Sequence, residues 1–323
     1  MKNIQADIKS GNFKQVYLLY GEEAYLKQQY KQNLVKALNP DGDTMNFNHY
    51  EGKGIDVKQL IDLCETMPFF AERRVVLLED TGFFKNKCEE LADYMKELPD
   101  YLYLVFAETE VDKRNRMYKA VKACGSIAEF IRQDEKTLMR WAAGILGKAG
   151  KKITQRDMEL LLTKTGTDMG NLRMEMEKLI SYTEGRDVVT AEDIEEICTT
   201  QTTNRIFDMV RAVTEKNQKR ALELYYDLLT LKEPPMRILF LLAKQYRQLL
   251  LAKQFAAAGL AQTEIASKLG VPGFVVRNIT ICARAYTISE LEQAVKDFVD
   301  AEESVKTGRL EDKLSVELLI IKY

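Results

Sequence analysis

The sequence predicts an α/β domain followed by a stretch built from helices. Short apolar runs alternate with helical segments up to about residue 132. From about Lys136 the apolar residues recur with helical spacing only, and glycine, proline or polar stops divide that stretch at helix-length intervals. A chain of 323 residues is longer than one core usually serves, and 46% hydrophobic residues suffice to fill two or three domains.

In the first zone, QVYLLYG is a short apolar run stopped by Gly21, and GEEAYLKQQYKQNLVKAL follows with helical periodicity. RRVVLLED and YLYLVFAE read as further strands, apolar on both faces as buried parallel strands are. The helices VKQLIDLCETM and NKCEELADYMKEL lie between the runs, and the zone ends in the strand-like GSIAEFI. The second zone reads as four short helices, in LMRWAAGILGKAG, TQRDMELLLTKTG, DMGNLRMEMEKLISYTEG and TAEDIEEICTT, the last opened by a Thr190 cap with acids behind it. The third, from NRIFDMVRAVTEK onward, holds longer amphipathic helices separated by KEPPM, GVPGF and KTGRLED. The predicted domains are therefore 1–134, 135–203 and 204–323.

Charge and cysteine content exclude several classes. The 47 basic and 49 acidic residues nearly cancel, so a basic site must be local. Five scattered cysteines without C-x-x-C spacing, and one histidine, His49, without metal-type company, argue against zinc and disulfides. The greasiest run, MRILFLLAKQYRQLLLAKQF, is broken by Lys244, Arg247 and Lys253, and the start lacks an apolar signal core. These readings predict a cytoplasmic protein that does not span a membrane.

An α/β domain followed by a small helical one is the layout of AAA+ nucleotide-binding proteins, which makes the first strand-to-helix turn informative. A working phosphate loop needs G-x-x-x-x-G-K-S/T. Here the turn reads LLYGEEAYLKQQY, with Gly21 but no second glycine, and with Glu22 and Glu23 where phosphate would sit. VVLLED resembles a Walker B strand ending in Glu79 and Asp80, a weak signal that solvated loop carboxylates also give. One histidine and no G-x-S-x-G leave little for hydrolase chemistry. The sequence thus predicts a protein that is not catalytic by itself and needs no cofactor.

Two segments invite a binding function. QTEIASKLGVPGFVVRNITICAR has the spacing of a helix-turn-helix, with Gly270 at the turn and Arg277 and Asn278 on the second helix, although two core helices joined by a glycine turn give the same pattern. In CETMPFFAERRVV, Phe69 and Phe70 are adjacent. Neighbouring residues point about 100° apart on a helix and to opposite faces of a strand, so one buried surface cannot easily take both rings.

Taken together, the chain resembles the delta subunit of bacterial DNA polymerase III, the clamp-loader component that binds and opens the sliding clamp. The resemblance rests on VYLLYGEEAYL, MPFFAERRVVLLED, VDKRNRMYKAV, GTDMGNLRMEMEKLISY, FDMVRAV, AKQYRQLLLAK, EIASKLGVPGFVVRN and VKTGRLEDKLSVELLI, in that order along nearly the whole length. It implies an AAA+-like α/β domain without a usable nucleotide site, a small helical lid domain and an all-α collar domain. It implies clamp binding through Met67, Phe69 and Phe70, with Pro68 where a small polar residue is more usual; the alternative is that one ring belongs to the domain core. The implied partners are the sliding clamp (beta subunit), the motor subunits (gamma/tau) and delta prime through the collar, and primed DNA. Arg237, Lys244 and Arg247 fall within about 80° on one helix wheel and could meet phosphates, or form a solvated face. The rival readings are a helix-turn-helix DNA-binding regulator and a degenerate AAA+ ATPase.

Overall fold

The computed structural model describes residues 2–199 and 202–323. The chain divides into two compact units, one ending at Gln133 and the other running from Asp134 to Tyr323. Thr200, at the end of the fourth helix predicted for the middle zone, and Gln201, within the predicted 135–203 domain, lie outside the described residues.

In the first unit, α1 (Lys2–Ser10) precedes β1 (Val16–Tyr20), α2 (Ala24–Leu38), β2 (Phe47–Glu51), α3 (Val57–Glu65) and β3 (Arg74–Glu79). There follow α4 (Glu89–Tyr94), β4 (Leu102–Glu108), α5 (Arg116–Cys124) and β5 (Ser126–Glu129). The five strands form one parallel sheet in the order β2-β3-β4-β1-β5. β1 lies inside it, with Leu18 opposite Phe106 on one side and Ile127 on the other. Every residue of β1 is buried, which is why its sequence reads as an unbroken apolar run. Val16, Leu18, Val76, Leu78, Leu104 and Phe106 line one face of the sheet and pack on Leu60, Leu91, Met117 and Val121 from the helices. This is the α/β class with a parallel sheet and flanking helices that the sequence predicts.

The second unit contains α6 (Glu135–Lys148), β6 (Lys152–Ile153), α7 (Gln155–Thr165), α8 (Met169–Tyr182), β7 (Val188–Val189) and α9 (Ala191–Ile197). It continues through α10 (Thr202–Thr214), α11 (Gln218–Thr230), α12 (Pro235–Ala257), α13 (Gln262–Leu269), α14 (Gly273–Ala283), α15 (Ile288–Lys306) and α16 (Asp312–Lys322). The reading of helices alone needs one correction: β6 and β7 pair in parallel, Lys152 with Val188 and Ile153 with Val189. Two residues per strand are too few to show a strand period in sequence.

Local chemistry sets the helix starts. Asp134, Thr154 and Asp168 accept backbone N–H groups at the openings of α6, α7 and α8. Thr190 and Asp193 form a reciprocal capping box on α9, as do Thr287 and Glu290 on α15. Pro235 opens α12, where its missing N–H costs nothing. The later helices enclose a core that includes Tyr225, Leu242, Leu249, Val276, Leu291 and Phe298. Tyr225 donates its hydroxyl to the Lys313 carbonyl at 3.1 Å and so ties α11 to α16.

Candidate functional site

The segment carrying the aromatic pair is the loop between α3 and β3. α3 ends at Glu65, and its cap Thr66 is already extended. Pro68 two residues on cannot continue a helix and holds Met67 away from helical geometry. The Thr66 hydroxyl donates to the Asp62 carbonyl at 2.9 Å, and the Tyr101 hydroxyl donates to the Glu65 carbonyl at 2.8 Å.

Two buried polar side chains hold the base of this loop. Arg74, the first residue of β3 and only 5% exposed, donates from Nε to the Thr66 carbonyl at 2.8 Å. Its Nη2 donates to the Met67 carbonyl at 3.3 Å, and its Nη1 to Asn48 Oδ1 at 3.2 Å. A buried guanidinium is tolerated where its donors find oxygens, and here they find the loop's own carbonyls. From the other side comes Asn46, 4% exposed, whose Oδ1 accepts the Phe69 N–H at 2.6 Å while its Nδ2 donates to the Phe69 carbonyl at 2.9 Å. The same Nδ2 donates to Asp43 Oδ2 at 2.5 Å, and that hydrogen bond holds the Asp43 carboxyl below the usual carboxylate range. At the end of the loop the Arg73 guanidinium lies over the Phe13 and Tyr103 rings at 5.2 and 5.4 Å.

Above this base the apolar side chains face solvent. Met67 is 75% exposed, Phe69 56% and Phe70 95%. The two rings meet edge to face, with centroids 4.5 Å apart and planes at 79°. Phe70 has φ of +51°, a left-handed conformation that a phenylalanine rarely adopts. Neither ring lies in the domain core.

The turn after β1 is closed by the chain's own backbone. Glu23 N–H donates to the Phe130 carbonyl at 3.0 Å, and Phe130 N–H donates to the Tyr20 carbonyl at 2.7 Å. Lys27, on the first turn of α2, donates to the Glu108 carbonyl at 2.8 Å. At the end of β3, Glu79 meets Lys31 at 2.6 Å and His49 at 2.9 Å, while Asp80 accepts from the Thr109 N–H and hydroxyl at 2.9 and 2.8 Å. Glu108 is buried and accepts from the Thr81 N–H and hydroxyl at 3.1 and 2.6 Å; burial pushes its carboxyl above the usual range. Among the described residues no group of three or more His, Cys, Asp or Glu side chains could hold a metal ion. The five cysteines are free thiols, and burial pushes that of Cys64 up to about 12.

The other residues singled out in the sequence lie in the second unit. Arg237, Lys244 and Arg247 all occupy exposed positions of α12. Arg237 pairs with Glu233 at 3.2 Å, whereas Lys244 and Arg247 form no ion pair among the described residues. Lys244 lines a cavity of about 450 Å³ together with Asp208, Gln245 and Asn278. In the helix-turn-helix-like segment, Gly270 takes the left-handed conformation between α13 and α14, Ile265, Val276 and Ile279 enter the core, and Arg277 faces Glu159 at 3.9 Å. Asn46 and Arg74, which hold the aromatic loop, are the site residues that sequence reasoning missed.

Family comparison bears on the whole chain. The family described as "DNA polymerase III, delta subunit" matches residues 17–130, and "DNA polymerase III delta subunit, C-terminal domain" matches residues 203–323. The chain belongs to the DNA polymerase III delta subunit family. Among delta relatives, DNA polymerase III subunit delta of Bacillus subtilis (strain 168) is 26% identical over 99% of this chain and 96% of its own. The probable DNA polymerase III subunit delta of Aquifex aeolicus (strain VF5) is 22% identical over 79% of this chain and 75% of its own. The solved structure of the Bacillus subtilis DNA clamp loader delta protein has the same fold, with a TM-score of 0.67 at 24% identity, covering 99% of this chain and 98% of that one. A delta-family chain therefore carries a braced loop with three exposed apolar side chains.

Proposed function

We propose that this delta-family chain is the clamp-loader subunit that binds the sliding clamp through Met67, Phe69 and Phe70 and opens the ring, or holds it open, for loading onto primed DNA. The observation that carries the reading is the exposure of all three side chains on a loop whose base is fixed by Arg74 and Asn46. Burying one phenylalanine contributes roughly 1.5–3 kcal/mol, so the pair can supply several kcal/mol on docking into an apolar pocket.

The mechanism is differential binding. A clamp ring exists closed and open, and a subunit that fits the open interface better than the closed one shifts the ring toward open without chemistry of its own. The chain itself is not catalytic on this reading, binds no cofactor and works in the cytoplasm. The Glu23 amide is engaged by Phe130, and Glu22 and Glu23 stand where a nucleotide would bring its phosphates. Nucleotide hydrolysis then belongs to the motor subunits (gamma/tau).

The division into an AAA+-like domain at 1–134, a lid at 135–203 and a collar at 204–323 goes with this reading, the collar meeting the motor subunits and delta prime. Lys244 and Arg247 are the better candidates for DNA contact on α12, because the Arg237 charge is met by Glu233. No helix among the described residues is long and apolar enough to cross a membrane.

The test is surface-plasmon binding of the purified chain to the sliding clamp of the same organism without ATP, beside a Phe69→Ala, Phe70→Ala double variant checked by circular dichroism. A loss of about two decades in affinity or more supports the reading, as several kcal/mol of lost burial requires. Binding unchanged in the variant moves the anchor elsewhere. No binding by the wild type removes the clamp-opening reading and brings forward the helix-turn-helix segment, whose Arg277 and Asn278 would then be tested on duplex DNA.

A further inference from the structure

We propose that Asn46 is the positioning residue of the aromatic loop, holding Phe69 and Phe70 in their binding pose before any partner arrives. The proposal rests on the clamp-binding reading of that loop.

Asn46 lies 23 residues before Phe69 and grips it at both backbone groups, accepting from the N–H at 2.6 Å and donating to the carbonyl at 2.9 Å. The chemistry of this contact admits one side chain and one orientation. The Phe69 N–H needs an oxygen, and the Phe69 carbonyl and the Asp43 carboxylate both need N–H donors; a carboxamide supplies all three and an ionised carboxylate supplies one. The hold is itself anchored. Asn46 N–H groups reach Asp43, and the Asp43 backbone is fixed by Asn39 at the end of α2, through Asp43 N–H to Asn39 Oδ1 at 3.0 Å and Asn39 Nδ2 to the Asp43 carbonyl at 2.9 Å. The Asn46 carbonyl also accepts the Val75 N–H at 2.9 Å, which ties it to β3. A continuous hydrogen-bonded path thus runs from α2 through Asn39, Asp43 and Asn46 to the peptide of Phe69.

That path bears on binding because the next residue is held in an unfavourable backbone conformation. Phe70 has a left-handed φ and a ring almost wholly in solvent, so its own packing does little to hold it there. Without Asn46 the loop would populate other conformers. Binding would then carry the cost of ordering it, although the rings themselves were unchanged.

The experiment measures clamp binding by surface plasmon resonance across pH for wild type, Asn46→Ala, Asn46→Asp and the Phe69→Ala, Phe70→Ala double variant, with thermal unfolding of each. Asn46→Ala should bind about tenfold more weakly, the effect of releasing a preorganised loop. Asn46→Asp should bind weakly at neutral pH and regain affinity, relative to wild type, as falling pH protonates the introduced carboxyl and restores a donor. In this variant Asp43 loses the hydrogen bond that holds its carboxyl low, and the two facing carboxylates take up their first proton as a pair. A purely structural role would show the rescue in thermal unfolding as well, whereas positioning shows it in the affinity of the folded fraction.

If Asn46→Asp follows the wild-type pH profile, or Asn46→Ala weakens binding only in proportion to the fraction unfolded, Asn46 does not position the loop. Loss of binding in the phenylalanine variant together with wild-type behaviour of both Asn46 variants would overturn the proposal and leave the clamp-binding reading intact. Unchanged binding in the phenylalanine variant would remove that reading and this proposal with it.

Discussion

Gly21 and the Phe130 carbonyl are in such close approach that a Cβ on Gly21 would stand 2.3 Å from the carbonyl oxygen, and Gly21 has φ of +125°. Both facts require glycine there, because an L side chain would meet backbone that cannot swing aside. Gly21→Ala should destabilise the chain by about 2–4 kcal/mol, read as a lower urea midpoint. An unchanged midpoint would mean that β1 and the Phe130 segment can separate at little cost.

Phe70 offers the opposite test. Its left-handed backbone is one that glycine adopts freely, and its ring gives the fold little. Phe70→Gly should therefore leave stability unchanged or raise it by up to about 1 kcal/mol, while weakening clamp binding. A clear loss of thermal stability would show that the ring supports the fold.

Arg74 combines charge with geometry. Its three donating nitrogens reach Thr66, Met67 and Asn48, and a lysine ammonium at the end of a flexible stem cannot reproduce that fork. Arg74→Lys should cost about 1–3 kcal/mol of stability in denaturant titration, since buried carbonyls lose partners. Wild-type stability would show that water or a shifted loop replaces them.

Glu108 gives a pH test with a defined sign. Burial raises its carboxyl above the usual range, so the folded state binds this proton more readily than the unfolded chain. Its ionised form therefore weakens the fold at neutral pH, and that penalty disappears as pH falls below the ordinary carboxylate range. Glu108→Gln retains an oxygen for the two Thr81 donors and should be at least as stable as wild type at neutral pH, with the advantage shrinking on acidification. An advantage that grows toward acid in paired urea titrations would contradict this account.

The fold class was legible because buried parallel strands have no solvent face to blur the pattern. β1, β3 and β4 are each almost wholly buried and read as apolar runs. β2 escaped notice for the complementary reason: it is an edge strand, paired only with β3, and its residues Phe47–Glu51 are half-buried or exposed and mostly polar. α1 escaped because Ile4 is its one fully buried apolar residue among those whose burial is described.

At the candidate site, adjacency showed that one surface could not bury both rings, but the exposure of each depends on what Asn46 and Arg74 do to the backbone between them. Asn46 left no signal, since an asparagine 23 residues from its partner has no pattern to match. Glu233 also left none, because it stands before Pro234 in the connection that precedes α12, outside any helical spacing; its pairing with Arg237 leaves Lys244 and Arg247 as the two charges of the basic side without an ion pair among the described residues.

The edge-to-face contact between Phe69 and Phe70 makes the two rings one energetic unit. Each ring limits the rotamers of the other, so truncating either changes the freedom of the ring that remains. The single-alanine losses will not sum to the double-variant loss, and the difference is a coupling energy that belongs to neither residue. A partner that evolves to accept one ring must accept its neighbour at the same time, which ties the two positions together in any change of binding specificity.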